Sequence, residues 1–79
     1  MLSELDRKVL TWLQAETANG GWYKARQIAD RSGVFSDLPN RSKAAAMTAV
    51  LNRLHEGGHV EKDRTELPII WRHKRNRVR

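Results

Sequence analysis

The chain has 79 residues, and fifteen Lys/Arg against nine Asp/Glu give it a net charge of +6. That length is one domain with a thin core. With no Cys it has no disulfide, no thiolate metal site and no Cys nucleophile, and without a signal-type leader or a bilayer-length apolar run a cytoplasmic protein with no membrane contact is expected.

Ser3 is a good N-cap for a first helix, with Asp6 three residues on as an acidic variant of the capping box. Leu5, Val9, Trp12 and Leu13 follow at helical spacing, and the helix runs to about Thr17. Asn19-Gly20-Gly21 ends it. Trp22-Tyr23 reads as a brief strand. A short second helix is predicted from about Ala25 to Ser32, with Ala25, Ile28 and Ala29 inward; Gly33 stops it and Val34 returns to the core. Phe35 and Leu38 tuck under the link that follows. Pro39 disfavours helix before it, and Asn40 or Ser42 can cap the next one.

The third helix is the organising element. Met47, Val50, Leu51 and Leu54 form one apolar stripe, and Gly57-Gly58 supply the left-handed stop. The opposite face holds Arg41, Ser42, Ala45, Thr48, Ala49, Asn52 and Arg53. It is small, polar and mostly basic. Small side chains allow close approach, Thr, Asn and Arg read base edges, and Ser and Arg bind phosphate. The plain alternative is a solvated helix face. His59-Val60-Glu61-Lys62 then reads as a strand, Arg64-Thr65-Glu66 as a hairpin tip, and Leu67 to Arg72 as the return strand, with Ile69 and Trp71 inward and Arg72 on the open face.

The charge is segregated. Between Lys24 and His55 stand Lys24, Arg26, Arg31, Arg41, Lys43 and Arg53, with only Asp30 and Asp37 against them. Residues 72–79 carry five more cations and no acid. Such a basic face suggests a polyanion partner, nucleic acid first. The alternative for the terminal run is a solubilising tail. Catalysis finds no support: His55 and His59 straddle the Gly57-Gly58 stop, no Gly-rich phosphate loop precedes a helix, and no Ser has a nucleophile's context. No enzyme activity and no cofactor are expected.

Two motifs carry a resemblance: Ala25-x-x-Ile28-Ala29-x-x-x-Gly33-Val34, and Val50-Leu51-x-x-Leu54-x-x-x-Gly58-x-Val60. With the order helix, short strand, helix, helix and hairpin, the chain resembles the winged helix-turn-helix DNA-binding superfamily over about residues 3–74. The expected fold is α+β, three helices with a short strand and a C-terminal β-hairpin wing, followed by a basic tail over residues 75–79. Within the superfamily the chain looks most like the small pilus-operon type of bacterial or phage regulator. It has a weaker likeness to the Z-DNA-binding winged domains, which share a Pro before a Trp on the last strand, here Pro68 and Trp71. Those domains carry Asn and Tyr on the recognition helix where this chain has Thr48 and Asn52.

The resemblance implies a nucleoid-associated transcriptional regulator of double-stranded DNA, with the third helix in the major groove. Arg41, Ser42 and Lys43 would meet phosphate at its N-terminus, Lys43 snorkelling outward from beside the apolar stripe. Thr48 and Asn52 would read bases, Asn52 by a paired contact to adenine, and Arg53 would reach phosphate or guanine. Lys24 and Arg26 would clamp the backbone. Arg64 on the wing and Arg72, Lys74 and Arg75 after it would follow the flanking strand. A continuous positive surface joining Arg41, Arg53 and Arg72 is the expected mark of DNA binding. An exposed Trp22 would instead mark a winged-helix protein–protein interaction module. A homodimer, with the first helix as its interface, or a protein partner remains open.

Overall fold

The computed structural model describes residues 2–18, 20–65 and 67–74. Asn19 of the first turn, Glu66 of the hairpin tip, Arg75 and the rest of the tail at 75–79 lie outside the described residues. The chain forms a small α+β domain of three helices and a three-stranded antiparallel sheet. In chain order these are α1 (Glu4–Glu16), β1 (Tyr23–Lys24), α2 (Ala25–Ser32), α3 (Asn40–Glu56), β2 (Val60–Asp63) and β3 (Ile70–His73).

The helix ends follow from local chemistry. The Ser3 hydroxyl accepts the Asp6 N–H at 3.1 Å and so starts α1. At the other end Thr17 is buried, and its hydroxyl is satisfied twice. It donates to the Leu13 carbonyl at 2.7 Å and accepts the His73 N–H at 3.0 Å, which ties the end of α1 to β3. Gly33 closes α2 with φ +74, a conformation costly for any other residue.

One cap differs from expectation. Pro39 occupies the N-cap of α3 with no side-chain hydrogen bond, so neither Asn40 nor Ser42 caps it; the Pro39 carbonyl instead accepts the N–H groups of Ser42 and Lys43. At the C-terminus Gly57 is still right-handed and Gly58, at φ +78, makes the left-handed turn. Together they make the expected stop directly after Glu56.

The sheet order is β1-β3-β2. Trp71 on the central strand faces Tyr23 on one side and Lys62 on the other. Only 1% of Trp71 is exposed, and it packs with Val9, Leu13, Ile28, Leu51 and Leu54. One face of the sheet thus closes the helical layer, as alternation requires. Ile69 packs against this core and Arg72 lies on the outer face, both as expected. The strand limits shift. The first strand is Tyr23–Lys24 rather than Trp22-Tyr23, and Leu67, Pro68 and Ile69 precede the return strand rather than belonging to it. Pro68 lacks a donor for the ladder, which delays pairing until Ile70. Trp12, Tyr23 and Phe35 are half-buried at the core's margin, with Trp12 and Tyr23 in edge contact at 5.6 Å.

Candidate functional site

α3 has two faces of opposite character. Met47, Val50, Leu51 and Leu54 are buried against α1, α2 and the sheet. Arg41, Ala45, Ala49, Asn52 and Arg53 are exposed, while Ser42, Lys43 and Thr48 are half-buried. The three small residues Ala45, Thr48 and Ala49 leave the helix backbone open to close approach.

The nominated cations divide sharply by what they touch. Arg53 is exposed, but its guanidinium turns toward α1. Its Nη2 donates to Asp6 Oδ1 at 2.8 Å and its Nε to Oδ2 at 3.3 Å, so it fastens α3 to α1. Those hydrogen bonds hold the Asp6 carboxyl below its ordinary value, against the opposing effect of burial, with the Arg53 charge and Ser3 contributing in the same direction. The Arg53 guanidinium is correspondingly raised, first by the hydrogen bonds and then by the charge. Asp6 is therefore an interhelical partner as well as the acidic residue that answers Ser3 at the helix start.

Lys43 does not snorkel outward. Its side chain is 15% exposed, and its ammonium lies 3.6 Å from Asp30 Oδ1 on α2. Arg26 holds the other oxygen of the same carboxylate at 3.0 Å. Arg72 donates to Glu61 at 2.6 Å and stacks over Trp22 at 4.3 Å, on the sheet face turned away from the helices. One ring face of Trp22 is thereby covered. Of the three members of the expected surface through Arg41, Arg53 and Arg72, two are paired with carboxylates on other elements.

Lys24, Arg41, Arg64 and Lys74 remain, exposed and without an ion pair among the described residues. Lys24 and Arg26 rim a cleft of about 350 Å³ whose walls include Ala44, Thr48, Leu67, Pro68 and Trp71. Thr48 donates its hydroxyl to the Ala44 carbonyl at 2.7 Å, which leaves its oxygen only as an acceptor toward a partner. One turn further on, Asn52 meets Lys62 of β2, whose Nζ is 3.5 Å from Asn52 Oδ1 and 5.6 Å from the Trp71 ring centre. The site is a helix face with small walls, two polar side chains and a cation beside each. It suits a polyanion carrying hydrogen-bonding edges.

No family model, no curated protein and no solved structure matched the chain. Among the described residues no group of three or more His, Asp or Glu is placed to hold a metal ion.

Sequence reasoning missed Lys62 and Leu67. Lys62 carried a usable signal: two residues beyond inward-facing Val60, it had to share Val60's side of the strand and so stand beside α3. Leu67 is 89% exposed on the loop before Pro68, and its place in an apolar stretch gave no hint of that.

Proposed function

We propose that this chain is a winged helix-turn-helix protein that binds double-stranded DNA, a small transcriptional regulator of bacterial, plasmid or phage type. The carrying observation is the open face of α3, where Thr48 lies by Lys24 and Arg26, and Asn52 by Lys62. The element order and the β1-β3-β2 sheet support the winged reading. In this reading α3 enters the major groove, Arg41 and Lys24 neutralise phosphates, and the loop carrying Arg64 lies along the neighbouring backbone. One small domain makes few base contacts, so specific regulation calls for a homodimer or a protein partner on the DNA.

Titration of a random-sequence duplex at several salt concentrations tests this. Binding should weaken steeply with salt and be lost when Lys24→Ala, Arg41→Ala and Asn52→Ala are combined. A wild-type chain that fails to bind at low salt sinks the reading. A second reading has one observation in its favour: the exposed Leu67 stands beside the cleft walled by Ala25, Pro68, Ile69 and Trp71, which suits a winged-helix module that docks a protein.

A further inference from the structure

Asn52 and Lys62 form a unit whose polarity is fixed by chemistry. An ammonium donates and never accepts, so the atom that Asn52 turns to Lys62 at 3.5 Å is its carbonyl oxygen, Oδ1. The Asn52 amide N–H2 is then the group left for a partner. Lys62 is held from a second direction by the face of Trp71, at 5.6 Å, and Trp71 is locked in the core. No described carboxylate pairs with Lys62, so its charge is not cancelled at the site. The pair offers two neighbouring donors, one of them cationic.

We infer that Asn52 and Lys62 together read guanine, and that Lys62 is the residue that sets this preference. The inference rests on the DNA-binding reading above. In the major groove guanine presents two acceptors, N7 and O6, while adenine presents the acceptor N7 and the donor N6–H2. An unassisted Asn matches adenine because it offers one donor and one acceptor. Here the acceptor is turned toward Lys62, and the ammonium beside it would face the adenine amino group donor to donor. Lys62 thus converts an adenine-type reader into a guanine-type reader.

Selection of bound duplexes from a randomised library, read by sequencing, tests this with wild type, Asn52→Ala, Lys62→Met and Lys62→Arg. The position whose preference disappears in Asn52→Ala locates the contact. Wild type should favour guanine over adenine there by roughly tenfold. Lys62→Arg, still a donor-only cation, should keep guanine. Lys62→Met keeps an apolar stem on Trp71 and frees Oδ1, so the preference should move to adenine. Should Lys62→Met fail to melt cooperatively, Lys62→Gln serves instead, with loss of the guanine preference expected. Wild-type selection of adenine, no position dependent on Asn52, or an unchanged preference in the Lys62 variants overturns the inference while DNA binding stands. A wild type that captures no duplex at low salt overturns both.

Discussion

Arg53 stands on the exposed side of α3 and yet grips Asp6 of α1 with two hydrogen bonds, at 2.8 and 3.3 Å. A side chain that the helical pattern aims at solvent is a clamp between two helices. The Asp6 carboxylate is the buried half of the pair and Arg53 the exposed half. Removing Arg53 leaves a buried charge without its partner, which is more damaging than the loss of a surface ion pair. Arg53→Ala should therefore lower the melting temperature by several degrees and change DNA affinity far less than Arg41→Ala does. Arg41→Ala should leave the melting temperature nearly unchanged. Thermal melts and duplex titrations of the two variants, run side by side, check the crossover.

The same pair predicts an acid-side loss of stability. Asp6 has its folded value lowered from the ordinary 3.8, first through the Arg53 hydrogen bonds. The unfolded chain then binds the proton more readily, so stability rises with pH through this range. The contribution is complete above about 4 and fades as pH falls through the depressed folded value. Asp63 shifts in the same direction through its hydrogen bonds from Thr65, so part of the slope survives without Asp6. Urea unfolding between pH 2 and 6 should show a shallower acid limb in Asp6→Asn than in wild type.

Salt dependence separates committed from uncommitted cations. If Lys24 and Arg41 each neutralise a phosphate, each Ala variant should flatten the log–log salt slope by roughly one. Arg72 is engaged by Glu61 and Trp22 on the far face of the sheet, so Arg72→Ala should leave the slope within error of wild type. A slope change for Arg72 equal to that for Arg41 would mean the DNA path runs behind the sheet.

The two glycines after α3 should respond unequally to Ala. Gly58 sits at φ +78 with open space around it, so Gly58→Ala meets only backbone strain and should cost about 1–2 kcal/mol. Gly57 is right-handed, and a Cβ there would meet the His59 ring at 2.9 Å. That ring can swing aside, and Ala favours the helical conformation, so Gly57→Ala should change stability by less than about 0.5 kcal/mol. Chemical denaturation of both variants decides it.

Trp71 anchors the sheet on the helices. Trp71→Ala should cost about 3–5 kcal/mol. The whole domain is worth roughly 4–12 kcal/mol by size, so this loss is a large share of it, and the melting temperature should fall by more than about ten degrees, as far-UV circular dichroism would register.

By itself the sequence determined the elements whose cause is local. Ala25–Ser32 is a helix because apolar residues recur at its period and Gly33 permits the left-handed exit. Val50, Leu51 and Leu54 were bound to face inward for the same reason, whereas strand alternation put Ile69 and Trp71 on one face and packing made that face the inner one. The open face of α3 followed as the complement of its apolar stripe. The tertiary structure alone decided the partners. Asp6 and Arg53 are 47 positions apart, Thr17 and His73 56, and Lys43 meets Asp30 across two helices. Nothing in local spacing distinguishes a cation that a distant carboxylate will claim from one left to solvent. That choice depends on how helices pack and which strand takes the centre of the sheet. Packing withdrew Lys43 from the outward-facing set, joined Arg53 to Asp6, gave Arg72 its partner Glu61, and set Lys62 within reach of Asn52.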